Sequence, residues 1–127
     1  MEAKKREIAS AQLTELGVRF TDIDLERHYI LPRMKRLQFT PDREYLEWAG
    51  AWLLKLQEAN QRALRYPERP FARVVGESWL KVCWHASAGV GWTAWKYFWH
   101  SPLSKGAWSS LRKKLFLLAF RQPPQDT

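Results

Sequence analysis

The sequence has few of the features that mark secreted, disulfide-bonded or membrane-spanning proteins. It contains a single cysteine, Cys83, in 127 residues, which excludes an internal disulfide framework and is typical of a reducing compartment. The longest uninterrupted apolar run, residues 115–120, is far shorter than the roughly 20 residues that span a bilayer. No apolar segment follows the charged N-terminus, so we expect no secretory signal. We therefore predict a cytoplasmic protein that does not bind membranes.

Acidic residues are missing from the C-terminal two-fifths of the chain. Residues 78–125 contain no Asp or Glu but seven Lys or Arg, whereas residues 1–77 hold 14 basic and 12 acidic side chains. The net charge of +8 therefore comes mainly from the C-terminal part. Because soluble surfaces usually mix both signs, this stretch predicts a face that is kept positive for a polyanion. The alternative is that the stretch is mostly buried and its cations only aid solubility.

The pattern of apolar residues predicts the fold class. Strand signals are nearly absent, and apolar residues recur at helical spacing through most of the chain. One domain is expected, because a chain of this length cannot fill two cores. We predict an all-α fold, a compact bundle of about five to six helices with one long central helix, in a single domain over residues 1–121. Residues 122–127 are expected to form a flexible C-terminal tail.

Two short helices are predicted before the long one. Residues 2–16 carry apolar side chains along one side, and Gly17 is suited to end a helix. Thr21 or Asp22 can cap the second helix, which Pro32 ends or continues into another turn.

The long helix has the clearest signals. Residues 40–42, Thr-Pro-Asp, combine an N-cap residue, a proline and an acid, each of which favours a helix start. Apolar residues then repeat at spacings of 3 and 4 as far as Ala63, which is a stripe at the helical period. Pro67 and Pro70 are expected to stop this helix after about 25 residues, or roughly 37 Å.

The acid-free part of the chain predicts further helices. A fourth helix is expected over residues 71–86, ended by the glycines of residues 86–91. Residues 92–99 predict a fifth helix that ends at Ser101-Pro102. A sixth is expected from Ser104 or Ala107 to Phe120.

The sequence offers little for catalysis or metal binding. Cys83 and His85 are two residues apart, which places them on different sides of a helix, and no second cysteine completes a zinc site. Cys83 lies beside Val82 and Trp84 in a segment expected to pack inward, which favours a buried thiol over a nucleophile. Residues 88–91 lack the preceding strand, the third glycine and the Lys-Ser/Thr of nucleotide-binding loops. We therefore predict a protein that is not an enzyme and holds no metal or cofactor.

Basic residues form a more informative pattern. Four arginines recur at spacings of 3, 4 and 4 between residues 62 and 73, and a tight loop would bring their guanidinium groups to one edge. Arginine is well suited to phosphate recognition. Residues 112–114 form a second cluster, and residues 33, 35 and 36 form a third. The predicted nucleic-acid-binding residues are Arg62, Arg65, Arg69, Arg73, Lys81, Lys96, Lys105, Arg112, Lys113 and Lys114.

Tryptophan is concentrated in the same part of the chain, because six of the eight lie within residues 78–125. Trp92, Trp95 and Trp99 fall at helical spacing, so we expect this stripe to belong to the core. Trp84 and Trp108 fit the core less well, and we predict them to be protein-interface or base-stacking residues. The helix that holds the stripe lacks Arg, Asn and Gln at its start, which favours recognition of phosphates and shape over base edges.

These patterns predict a non-enzymatic, basic helical protein that binds the RNA or DNA backbone and contacts other protein subunits. Its size, helicity and charge are those of small subunits in nucleoprotein complexes, such as RNA-guided or DNA-processing assemblies, although this is an analogy of class alone. The alternative is an adaptor or inhibitor that binds an acidic protein surface, such as the nucleic-acid channel of another enzyme. That role requires the same cationic and aromatic area.

Overall fold

The computed structural model describes residues 3–108, and this part of the chain contains helices and no strand. The α-helices are α1 (Ala3–Leu16), α2 (Asp22–Ile30), α3 (Arg43–Ala63), α4 (Glu68–Val90) and α5 (Trp92–His100), and a 3₁₀ turn over Leu31–Arg33 follows α2. Residues 104–108 are again helical. The predicted all-α bundle is confirmed over these residues. The predicted sixth helix beyond Trp108 lies outside the described residues.

The core forms where α3, α4 and α5 meet. The buried side of α3 includes Leu46, Ala49 and Trp52, which belong to the predicted apolar stripe. From α4 and α5, Trp79 and Phe98 are fully buried against them. A short connection joins α3 to α4, and α5 folds back onto both helices. Helix α1 packs against α3, and α2 is joined to α3 by side-chain hydrogen bonds.

The N-terminal helices begin and end near the predicted residues. Gly17 follows α1 with φ of 82°, a left-handed conformation that glycine adopts without strain. Thr21 caps α2, because its hydroxyl accepts a hydrogen bond from the N–H of Asp24 while the Asp24 carboxylate accepts from the N–H of Thr21. This reciprocal capping box fixes the start of α2.

The predicted bounds of the long helix are wrong at both ends. Asp42, not Thr40, is the N-cap of α3, because its carboxylate accepts a hydrogen bond from the N–H of Tyr45 at 2.8 Å. The helix ends at Ala63 after 21 residues, before either proline, and Leu64 adopts a left-handed conformation. The buried side chain of Asn60 causes this early end. It binds both the N–H and the carbonyl oxygen of Tyr66 and so holds the loop in place of another helical turn.

Among the helices of residues 3–108, α4 is the longest, with 23 residues, and it lies centrally in the bundle. The sequence predicted that it would end near Ala86, but it continues through Gly89 to Val90. A single residue, Gly91, makes the turn to α5 with φ of 64°. Glycine is well suited to this position, because a side chain is strained at such a positive φ. The one-residue turn places the start of α5 directly beside the end of α4.

Candidate nucleic-acid interface

Three of the four exposed tryptophans in the described acid-free residues share a local pattern. Each of the three has an exposed lysine three residues earlier on the same helical segment, whereas the residue three positions before Trp92 is Gly89. The pairs are Lys81 with Trp84 on α4, Lys96 with Trp99 on α5, and Lys105 with Trp108 in the helical segment 104–108. Residues three apart on a helix are surface neighbours. Each pair therefore presents an ammonium group and an indole ring to the same side of its helix.

The three pairs are joined by a continuous series of aromatic contacts. Trp84 meets Trp95 with ring centroids 6.1 Å apart, and Trp99 meets Trp108 at 6.2 Å. Between them, Phe98 contacts Trp95 at 5.8 Å and Trp99 at 4.9 Å. All four contacts are edge-on, a favoured geometry for aromatic rings. We call these five residues the tryptophan ladder.

The ladder is anchored in the core but open to solvent. Phe98 is fully buried, and its carbonyl oxygen accepts a hydrogen bond from the indole N–H of Trp79 at 3.3 Å. By contrast, 45% of Trp84, 55% of Trp99 and 47% of Trp108 is exposed. The three exposed rings therefore pack against more buried aromatic neighbours and retain apolar area for contact with another molecule.

The prediction that the stripe on α5 belongs to the core is wrong for two of its three tryptophans. Trp92 is 82% exposed and Trp99 is 55% exposed, while Trp95 is partly buried. The side of α5 that packs inward carries Ala94 and Phe98 instead. Ala94 and Phe98 are four residues apart and so share one face of α5, whereas the three tryptophans follow a different stripe of the same helix.

Close backbone contact positions the last pair of the ladder. A Cβ added to Gly76 of α4 would lie 2.5 Å from the backbone N of Ala107, and one added to Gly106 would overlap the backbone of Ala72. The two glycines therefore allow α4 and the segment 104–108 to approach more closely than side chains permit. This contact places Trp108 next to Trp99.

One carboxylate interrupts the charged side of α4. Arg69, Arg73, Glu77 and Lys81 follow one another at intervals of four residues and are all exposed. They form one helical stripe, in which Glu77 lies between Arg73 and Lys81. No acidic residue follows Glu77 within the described chain. Within the described chain, only residues 78–108 are therefore free of carboxylates of their own.

The predicted arginine cluster lies in a region of mixed charge. Arg62 and Arg65 are exposed at the end of α3 and in the following loop. The guanidinium of Arg65 pairs with the carboxylate of Glu15 on α1, with an Nη2–Oε2 distance of 3.3 Å. Glu68 also lies beside this loop, where its carboxylate accepts a hydrogen bond from Gln61. The role of these arginines in binding stays a prediction, as does that of Arg112, Lys113 and Lys114, which lie outside the described residues.

Sequence analysis missed two basic side chains near the ladder. Arg43 at the start of α3 and His100 at the end of α5 line one cavity together with Lys96. Arg43 and Lys96 are far apart in sequence and meet only because α5 folds back onto α3. No local pattern marks such a pair, so only the tertiary structure reveals it.

The nucleophilic and titratable groups of the interior are used in packing. Cys83 is buried as predicted, and burial raises the pKa of its thiol, which disfavours the reactive thiolate. The imidazole Nδ1 of His28 accepts a hydrogen bond from the indole N–H of Trp52 at 3.0 Å. Burial and the charge of Arg33 lower the pKa of His28. Across residues 3–108, no three His, Cys, Asp or Glu side chains gather as a metal-ligand set.

Within the same described range, no helix has both the length and the hydropathy needed to cross a bilayer. No protein-family model matches this chain, and no curated protein or solved structure gives a significant match to it.

Proposed function

We propose that this protein is a non-enzymatic binder of RNA or DNA that takes a single strand along the tryptophan ladder. In this proposal Lys81, Lys96 and Lys105 contact phosphates, while the exposed ladder tryptophans stack on bases. The observation that carries the proposal is the threefold pairing of lysine with an exposed tryptophan, the three tryptophans being linked by aromatic contacts through Trp95 and the buried Phe98. The protein would act as a small subunit of a nucleoprotein complex, as its size and charge suggest.

Two physical terms support single-strand binding. Lysines that neutralise phosphates release condensed counterions, and this release favours binding at low salt. Stacking of a base on an aromatic side chain contributes about 1–3 kcal/mol and tolerates any base sequence. Segment 78–108 combines both terms and has no carboxylate of its own to repel the strand.

A second candidate is an adaptor or inhibitor that covers an acidic protein surface. Trp92 favours it, because an indole that is 82% exposed at the start of α5 has the character of an interface anchor. A protein that binds no nucleic acid but forms a stable complex with an acidic partner would support this second candidate.

The proposal is tested by fluorescence anisotropy with labelled single- and double-stranded RNA and DNA at low salt. We expect the single strands to bind more tightly than the duplexes. Replacing Trp99 or Trp108 with Ala should weaken single-strand binding by roughly 5- to 150-fold per stacked base. The control is Tyr66→Ala, which removes a partly exposed ring from the loop between α3 and α4. Equal binding by the wild type and the two tryptophan variants would contradict the proposal.

A further inference from the structure

A cavity of about 410 Å³ opens between the start of α3 and the outer side of α5. It is lined by Arg43, Thr93, Lys96, Tyr97 and His100. Two permanent cations, one imidazole and two hydroxyl groups therefore surround one space. No carboxylate lines it among the described residues, although Glu47 lies one helical turn after Arg43.

Tyr97 and Arg43 both contact the nearby carboxylate of Glu47. The Tyr97 hydroxyl donates a hydrogen bond to Glu47 Oε2 at 2.6 Å and accepts one from Arg43 Nε at 3.4 Å. The Arg43 Nε lies 3.8 Å from the same carboxylate oxygen. Only the Nε side of the guanidinium is engaged in this way, and within residues 3–108 neither Nη atom of Arg43 has a hydrogen bond. Arg43 therefore retains two nitrogen donors for an anion.

His100 adds a third nitrogen whose orientation is fixed. Its Nδ1 lies 2.7 Å from the carbonyl oxygen of Lys96. Because a carbonyl oxygen only accepts, Nδ1 carries the hydrogen in this contact. The Nε2 atom is then left for a ligand, and it becomes a donor when the ring is protonated.

We propose that this cavity binds a phosphate monoester, namely the terminal phosphate of the strand whose bases lie on the tryptophan ladder. A monoester carries a charge of about −1.5 to −2 at neutral pH, whereas an internal phosphodiester carries about −1. Lys96 supplies a positive charge, Arg43 shares its charge with Glu47, and the Arg43 Nη nitrogens suit a forked contact with two phosphate oxygens. Lys96 belongs to both sites, because it lines the cavity and precedes Trp99 by one helical turn.

This inference rests on the proposed function, so the test separates the two. One oligonucleotide sequence is prepared with a 5′-phosphate, with a 3′-phosphate, and with hydroxyl groups at both ends. We expect one terminal phosphate to raise the affinity of the wild type at least about tenfold. Arg43→Gln should abolish that increment. The control Arg36→Gln, which removes the same charge from an exposed position outside the ladder and the cavity, should retain it.

The outcomes are distinct. If the hydroxyl-ended strand binds but no terminal phosphate adds affinity, or if Arg43→Gln keeps the increment, the inference is overturned and the proposed function stands. Inorganic phosphate is tested separately by its effect on the thermal unfolding midpoint. A rise in the wild type but not in Arg43→Gln, without binding of any strand, would assign the cavity to free phosphate and overturn the proposed function. If the protein neither binds any oligonucleotide nor responds to inorganic phosphate, both the inference and the proposed function are overturned.

Discussion

The described chain has a first region, residues 3–77, that contains acids and a second region, residues 78–108, that contains none. Most tryptophans of the two regions differ in how they are used. In α3, Trp48 and Trp52 stack with centroids 5.5 Å apart. Their indole N–H groups donate to Asp24 Oδ1 at 2.8 Å and to His28 Nδ1 at 3.0 Å. The stacked rings and the indole N–H groups of this pair therefore all make contacts within the fold. The outer ladder tryptophans after residue 78 instead remain about half exposed.

Charged residues show the same contrast. The ion pairs found between described residues all join side chains within residues 6–65. The lysines at positions 81, 96 and 105 belong to a stretch that contains no acid. Indoles and cations therefore occur in both regions, and what differs is the supply of carboxylates, because Glu77 is the last acidic residue of the described chain. In the proposed function, the lysines and exposed indoles of the second region bind the ligand.

The sharpest test of this contrast compares one tryptophan from each region. Trp52→Ala should lower the free energy of unfolding by about 3–5 kcal/mol, because it empties a buried site and leaves His28 without its donor. Trp92→Ala should change it by less than about 0.5 kcal/mol, because the ring is mostly exposed. Urea unfolding measures both values. A comparable loss of unfolding free energy in the two variants would mean that tryptophans of the two regions contribute equally to stability.

A second test addresses the contact that positions Trp108. Gly76→Ala should cost about 1–3 kcal/mol or more, because its Cβ would meet the backbone of residues 106 and 107 at 2.5 Å. Gly89→Ala is the matched control in the same helix, where the nearest atom lies 3.8 Å away. It should stabilise the protein by about 0.4–1 kcal/mol. Thermal unfolding of the two variants should therefore shift in opposite directions, and a shift in the same direction would refute the close contact.

The buried imidazole of the first region predicts a pH dependence. Burial and the charge of Arg33 lower the pKa of His28 in the folded state, so the unfolded chain binds this proton first as the pH falls. Stability should therefore decrease as the pH falls below the ordinary histidine pKa of about 6.5. His28→Asn can keep an acceptor near Nδ1 but cannot titrate, so its stability should change less between about pH 7 and pH 5. An equally steep change in this variant would assign the effect to other groups.

The smallest effect is expected from an exposed ion pair of the first region. Arg65 and Glu15 are each 53% exposed, with a closest distance of 3.3 Å. A double-mutant cycle with Arg65→Gln and Glu15→Gln should give a coupling energy of about 0.2–1 kcal/mol. The coupling should decrease with added salt. A coupling that salt leaves unchanged would show that this pair is not screened as an exposed contact.

Sequence periodicity predicts the elements that depend on local pattern. The apolar stripe of α3 and the N-cap of α2, predicted at Thr21 or Asp22, depend on residues close in sequence, and the structure has the stripe and a cap at Thr21. The end of α3 was predicted wrongly, because it depends on Asn60 binding the backbone of Tyr66 in the following loop. The break expected at Ala86 was also wrong, because residues 86–90 remain helical and only Gly91 turns the chain.

The candidate site likewise has some features that the sequence predicts and others that depend on the tertiary structure. Composition alone located the acid-free, tryptophan-rich stretch, and both Trp84 and Trp108 are exposed. Composition could not indicate which face of α5 packs inward, because Trp92, Trp95 and Trp99 have the same spacing as a core stripe. The approach of Arg43 to Lys96 also depends on how α5 folds back onto α3.

The most direct test of the central claim is the salt dependence of binding to a short, unstructured RNA strand. The slope of log Kobs against log salt changes by about 0.7 for each phosphate contact to a single strand. Replacing Lys81, Lys96 and Lys105 with Gln should therefore make the slope shallower by about 2. The same three-charge change at Lys4, Lys5 and Lys35, which are exposed in the first region, should leave the slope close to that of the wild type. Equal changes in both triple variants, or no change in either, would contradict the account.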